Sequence, residues 1–92
     1  MLTLTLDLHN LPLKGEINPK ELIFKYLDTL LTPLLKRKNV QIDIIVGRGN
    51  NSNIYNFIKG QPVTRYYTRE YLNLIEIKAK YSSTHGKFSF FL

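Results

Sequence analysis

The residues best suited to chemistry are Asp7 and His9, which flank Leu8 near the start of the chain. Side chains two positions apart on a strand project from the same face, so the carboxylate and the imidazole can touch. A carboxylate beside an imidazole raises its basicity and fixes its tautomer, which suits general acid or base catalysis near neutral pH. The alternative interpretation is that His9 bonds a turn and Asp7 caps a neighbour. Since Asp7 has no acidic partner near it in sequence, we expect no metal site and no cofactor.

A second candidate site is the polar loop Gly47-Arg48-Gly49-Asn50-Asn51-Ser52. Its two glycines let the backbone approach a phosphate closely, and the guanidinium of Arg48 can hold two phosphate oxygens. The asparagines and the serine add neutral donors. A flexible turn is the alternative interpretation of the same residues.

Further cations could follow a nucleic-acid backbone. Arg65 and Arg69 are four residues apart on a predicted helix, where like charges repel unless an anion lies between them. Lys14 and Lys59 would extend this basic surface. A solvated helix face is the alternative for the two arginines.

Several rings offer two interpretations. Aromatic side chains can stack on bases, but at helical spacing they are more often part of a core; the residues concerned are Tyr55, Phe57, Tyr66 and Tyr67. His85, beside Gly86, is interpreted as a hairpin-turn residue, with contact to a substrate as the alternative.

Four segments alternate apolar and polar residues with the period of a strand that has one buried face. They cover residues 2–8, 40–46, 75–81 and 87–92, and the last two are predicted to form a hairpin. The long segment 47–60 is predicted as a loop.

Two helices are predicted between these strands. Asn18 caps the first, with Pro19 at its first position and Ile23, Leu27, Leu30 and Leu34 at helical spacing. Pro33 predicts a bend or a short new helix capped by Thr32. The second helix starts at Pro62, and its predicted inner stripe is Val63, Tyr67, Tyr71 and Leu74.

The order strand, helix, strand, helix, strand, strand predicts an α/β fold of the two-layer α+β sandwich type. Because each strand has one buried face, both helices should cover the same face of a mixed four-stranded sheet. Right-handed crossovers then give the order 1-2-4-3, with the last strand antiparallel. Strands 1 and 2 are parallel in this arrangement, so their ends would bring Asp7 and His9 to the same edge as Gly47, where ligands tend to bind.

Composition limits the possible functions. The 92 residues form one domain, 1–92, and we expect it to be part of a longer protein because Met1 directly precedes the first strand. The chain has no cysteine, which excludes thiolate chemistry and is compatible with the cytoplasm. A formal net charge of +6 favours a nucleic-acid partner over a membrane, since no apolar run is long enough to span one. We expect a monomer.

Three stretches together resemble the Smr (small MutS-related) domain: LDLH at 6–9, IIVGRGNNS at 44–52 and the helix opening at Gln61-Pro62. The resemblance covers nearly the whole chain and implies a β-α-β-α-β-β sandwich. It also implies endonuclease activity, with Asp7, His9 and Arg48 at the family's motif positions. This chain departs from the family's usual residues at three positions. Members usually carry Gly where this chain has Asn10, and Thr or His where it has Val46. They often carry His where it has Asn51.

The form of the glycine loop is similar to the eukaryotic branch of that family, several of whose members act on messenger RNA at stalled or collided ribosomes. The expected function is therefore an RNA endonuclease of the kind that serves messenger RNA quality control. Three alternatives remain open: a DNA-nicking enzyme, a noncatalytic module that docks a larger protein on RNA or the ribosome, and a protein-interaction domain.

Overall fold

The chain alternates strands and helices in the computed structural model, which describes residues 2–8, 18–47, 57–58 and 61–92, with 57–58 described by backbone alone. The described elements are β1 (Leu2–Asp7), α1 (Pro19–Leu31), a 3₁₀ helix (Leu34–Lys36), β2 (Val40–Ile45), β3 (Phe57–Ile58), β4 (Gln61–Pro62), α2 (Val63–Leu74), β5 (Lys80–Ser82) and β6 (Lys87–Phe91).

The main sheet has the strand order β1-β2-β6-β5. β1 and β2 are parallel, whereas β6 runs antiparallel to both of its neighbours. Numbered among themselves, these four strands follow the predicted order 1-2-4-3 with an antiparallel last strand, and the α+β class is confirmed. The difference is the small antiparallel pair β3–β4. β3 lies in the segment 47–60 that the sequence predicts as a loop, and β4 lies at Gln61–Pro62, where the sequence predicts the start of the second helix.

The strand register separates an apolar face from a polar face. Leu4 pairs with Ile42 and Leu6 with Ile44, and on the other side of β2 the same two isoleucines pair with Phe90 and Phe88. These side chains belong to one hydrophobic core that also contains Ile23, Leu27 and Leu31 of α1 and Tyr71 and Leu72 of α2. Both helices therefore cover the same sheet face, and the opposite face carries the polar residues of each strand.

α1 begins where the sequence predicts. The Asn18 side chain accepts a hydrogen bond from the Glu21 N–H at 3.1 Å, and Pro19 occupies the first turn, where no donor is needed. The two helices are joined by the Tyr71 hydroxyl, which donates to Asp28 Oδ1 at 3.1 Å. Burial and this bond to the Asp28 carboxylate raise the pKa of Tyr71 to about 12.

Thr32 ends α1, whereas the sequence predicts that it caps the next helix. A short 3₁₀ helix does follow Pro33, but Thr32 does not cap it. Instead, the Thr32 N–H bonds the Asp28 carbonyl and its hydroxyl donates to the Asp28 side chain at 3.3 Å, so Thr32 ends α1. Pro33 cannot continue the helix because it lacks an N–H and its ring clashes with the preceding turn.

The inner face of α2 is rotated from the predicted stripe. Thr68, Tyr71 and Leu72 are buried, together with Val63 at the start of the helix, whereas Leu74 is 71% exposed. The predicted inward position of Leu74 is therefore wrong, because the buried face centres on Thr68 and Leu72 and leaves the last residue of the helix outside it.

The third strand is shorter than predicted, because α2 ends within the alternating segment 75–81. Glu76 adopts a left-handed conformation with φ 62°. Its N–H bonds the Asn73 carbonyl, and the Ile77 N–H bonds the Leu72 carbonyl at 2.8 Å, which is the Schellman pattern of a helix end. The apolar residues at 75, 77 and 79 thus join the core from a helix cap and a connection, and β5 starts only at Lys80.

Glu76 offers a direct test of this helix end. A left-handed conformation costs a residue with a Cβ roughly 1–2 kcal/mol, and glycine adopts it without that cost. We expect Glu76→Gly to stabilise the protein by about 1 kcal/mol in urea unfolding. The matched control is Lys25→Gly on the exposed face of α1, which should lose about 1 kcal/mol. A loss of stability in both variants would contradict the assigned cap.

Candidate functional site

The carboxyl ends of β1 and β2 meet at one edge of the sheet. Asp7 lies opposite Ile45 in the parallel register, and the Leu8 N–H extends the pairing by bonding the Ile45 carbonyl at 2.7 Å. Leu8 is fully buried under the helices, whereas Asp7 is exposed on the polar face. Two residues after Ile45 comes Gly47, so Asp7 and the start of the glycine loop share this edge.

Gly47 turns the chain and does not offer its amide to a ligand. Its φ of 83° lies in the left-handed region that favours glycine. The N–H groups of Val46 and Gly47 both donate to the Gly86 carbonyl, at 2.8 and 3.0 Å. Any phosphate contact by backbone amides of the glycine loop must therefore come from residues after Gly47.

Most of the other predicted site residues lie outside the described residues. They are His9, Lys14, Arg48, Gly49, Asn50, Asn51, Ser52 and Lys59, as well as Tyr55. Their roles stay predictions from the sequence.

Arg65 and Arg69 lie over aromatic rings of the sheet. The Arg65 guanidinium carbon is 4.7 Å from the centre of the Tyr81 ring, and that of Arg69 is 5.1 Å from the centre of Phe88. In the described part of the chain no carboxylate forms an ion pair with either guanidinium, and the Arg65 Nε is buried without a hydrogen-bond partner. The rings hold both charges in place by cation–π attraction, which differs from a simply solvated helix face.

The neighbouring tyrosines of α2 pack on each other. The rings of Tyr66 and Tyr67 pack edge to face with their centres 5.2 Å apart, and the centre of the Tyr67 ring is 6.5 Å from that of Phe24 in α1. Tyr67 packs against the hydrophobic core, as the core interpretation of these aromatics expects. The side chain of Phe57 lies outside the part that the structure describes.

The polar sheet face carries an ion pair that sequence reasoning missed. Lys87 Nζ lies 3.1 Å from Asp43 Oδ2, and the Gln41 amide donates to Asp43 Oδ1 at 2.9 Å. Burial alone would raise the pKa of Asp43, but bonds from Gln41, Ser89 and Lys87 and the Lys87 charge outweigh it, so the pKa lies below its usual value. The sequence places Gln41, Asp43 and Lys87 on the polar face of their strands. Which of them meet depends on the register of β2 with β6.

The β5–β6 turn also lies at the edge that holds Asp7. One row of paired residues crosses the four strands at this edge, in the order Asp7, Ile45, Lys87 and Ser82. His85 follows Ser82 within the turn, and its Nδ1 is 3.0 Å from the Ser82 hydroxyl. The sequence identified His85 as a turn residue but gave no sign that the turn adjoins Gly47.

Comparisons with family models, curated proteins and solved structures found no match to this chain. Within residues that the structure describes, no helix has the length and apolar character needed to cross a membrane. The same residues contain no group of three or more histidine, aspartate or glutamate side chains able to hold a metal ion.

The Asp43 cluster has a testable pH dependence. A carboxyl whose pKa is lowered by folding stabilises the protein above its unfolded pKa, and this contribution is lost as the pH falls through the folded pKa. Asp43→Asn should therefore reduce the free energy of unfolding by about 2 kcal/mol at pH 7. The difference from the wild type should shrink as the pH falls below the ordinary value of 3.8.

Urea unfolding at several pH values measures both quantities. A difference between the two proteins that stays constant down to pH 2 would show that the Asp43 charge contributes nothing. Gln41→Ala, which removes one donor but leaves Lys87 in place, is the control for the hydrogen bond alone.

Proposed function

We propose that this domain binds RNA and cleaves it at the edge formed by Asp7 and Gly47. The observation that carries the proposal is the parallel β1–β2 register, in which Asp7 lies opposite Ile45, two residues before Gly47. The carboxyl ends of parallel strands are where α/β proteins usually bind their ligands. A net charge of +6 supports a polyanionic substrate.

In the proposed reaction, a 2′-hydroxyl of the RNA attacks the adjacent phosphorus to form a 2′,3′-cyclic phosphate, and the bond to the 5′ oxygen breaks. The departing 5′ oxygen takes a proton from water and leaves as a 5′-hydroxyl. His9 takes the proton of the attacking hydroxyl, and Asp7 orients the imidazole. Arg48 and amides of the loop after Gly47 stabilise the charge that develops on the phosphate oxygens. The roles of His9 and Arg48 rest on the sequence and on the resemblance to Smr domains.

That resemblance also supplies the proposed setting, which is messenger RNA at stalled or collided ribosomes in the cytoplasm. DNA nicking is the alternative reaction of the same site. A domain that only docks on RNA is the alternative from a different class. The guanidiniums of Arg65 and Arg69, held on aromatic rings, favour an RNA-docking domain as much as they favour a nuclease.

A variant at Asp7 distinguishes the catalytic role of this residue from a role in RNA binding. We expect Asp7→Asn to reduce cleavage of a labelled single-stranded RNA by roughly 10²-fold or more, since the amide cannot stabilise a charged imidazole. Binding of the same RNA should change little. Single-turnover cleavage and fluorescence anisotropy measure the two quantities separately.

The control for this variant is Glu76→Gln, which removes a carboxylate at the far end of α2 and should leave both quantities unchanged. Equal cleavage by wild type and Asp7→Asn would refute the catalytic role. RNA binding without cleavage by the wild type, with or without added metal and with DNA tested alongside, would favour the docking module.

Arg65 and Arg69 are proposed to bind RNA phosphates. Removing one cation that neutralises a phosphate of a single strand reduces the slope of log K against log salt by about 0.7. We therefore expect Arg65→Gln/Arg69→Gln to weaken RNA binding and to lower that slope by about 1.4. Anisotropy titrations at several salt concentrations measure it.

The charge-matched control is Lys36→Gln/Lys38→Gln, which removes two exposed cations near the start of β2, at the other end of the strand from Gly47. A slope that falls equally in both double variants would point to general attraction by the net charge. An unchanged slope in the arginine variant would exclude direct phosphate binding by Arg65 and Arg69.

A further inference from the structure

We infer that His85, in the β5–β6 turn, contacts a second phosphate of the bound RNA strand, separate from the phosphate beside Asp7. This inference rests on the RNA-binding half of the proposed function and does not require cleavage. Three features of the turn carry it: how the turn is fixed to β2, how the His85 ring is held, and which charges surround it.

The turn is fixed to the end of β2. The Gly86 carbonyl accepts hydrogen bonds from both Val46 and Gly47, and Gly86 itself is buried with φ 60°. The residue that precedes it, His85, is therefore held next to the point where the glycine loop leaves the sheet. A free hairpin tip would have no such fixed relation to the site.

The His85 ring is positioned by Ser82. The Ser82 hydroxyl lies 3.0 Å from His85 Nδ1, and it also accepts the His85 backbone N–H at 3.3 Å. The imidazole is exposed, and no described residue bonds its Nε2. One ring nitrogen is thus used to orient the side chain, while the other bonds no residue that the structure describes and can meet a ligand, which is how proteins commonly present histidine to a substrate or ion.

The surroundings favour an anion. Tyr81, next to Ser82, carries the Arg65 guanidinium on its ring, on the sheet face that the helices cover. On the opposite face, which carries Ser82, the Lys87 ammonium and the Asp43 carboxylate pair with each other. In the described part of the chain no carboxylate bonds His85, so none of these residues competes with a phosphate oxygen for its ring.

The spacing requires a second phosphate. Ser82 and Asp7 are separated by three strand-to-strand steps, or about 14 Å at ~4.8 Å each. One phosphate cannot reach both residues, but a single strand laid along the edge presents several. The ligand is therefore a single-stranded RNA several nucleotides long that runs across the ends of the strands, past Gly47.

The test uses the complete chain and a fluorescein-labelled single-stranded RNA of eight nucleotides. We expect His85→Ala to weaken binding about tenfold or more, the size expected when one hydrogen bond to a charged group is removed, with an unchanged free energy of unfolding. Ser82→Ala should weaken binding less, because the ring remains but is no longer held. Lys38→Ala at the far edge is the control and should bind nearly as the wild type does.

A second readout separates contact from a structural role. In the wild type, the imidazole nitrogen resonances of His85 should shift as the RNA is added, and they should saturate with the binding curve. If cleavage occurs, His85→Ala should raise KM with little change in kcat.

The outcomes are distinct. Unaltered RNA affinity of His85→Ala, or ring resonances that do not move, would overturn this inference and leave the catalytic proposal standing. Binding that depends on His85 without any cleavage would sustain it while the nuclease proposal fails. An absence of RNA binding by the wild type would overturn both.

Discussion

The parallel pairing of β1 with β2 is the constraint on which the rest of the structure depends. In this register Leu4 and Leu6 align with Ile42 and Ile44, so both strands present one continuous apolar face to the helices. A shift of one residue would turn every side chain to the other face, and burial of that face makes the shift costly. The same register sets Asp7 at the end of β1 across from the start of the glycine loop.

The β5–β6 hairpin completes the edge that this pairing begins. β6 pairs with the free side of β2, and the Gly86 carbonyl then accepts the amides of Val46 and Gly47. These bonds use donors that would otherwise be left unpaired where β2 ends, and they bring a turn from the end of the chain to residues near its middle. Three separate segments of the sequence consequently contribute to one edge of the sheet.

The fold was largely predictable because its signals are local and periodic. Alternation located β1, β2 and β6, and Asn18 with Pro19 located the start of α1. The errors occur where a helix cap or the packing of the core overrides the alternating or helical pattern. Alternation at 75–81 resembles a strand, but Glu76 takes a left-handed conformation and Ile77 bonds back to Leu72, so α2 ends inside that pattern. Leu74 fits the helical stripe but lies outside the buried face, which the packing of Thr68 and Leu72 determines.

The sequence by itself determined the residue types at the site, the one-sided strands and the order of the elements, because each depends on neighbours along the chain. Only the tertiary structure decided which distant groups meet: the side chains of Lys87 and Asp43, those of Arg65 and Tyr81, and the backbones of Gly86 and Gly47. Each of these pairs joins segments that are distant along the chain, and strand register and helix rotation fix them through burial of the shared core. The spacing of apolar residues, with a period of two in strands and 3.6 in helices, predicts which face of its element a side chain occupies. It does not predict which residue of another element lies opposite that side chain.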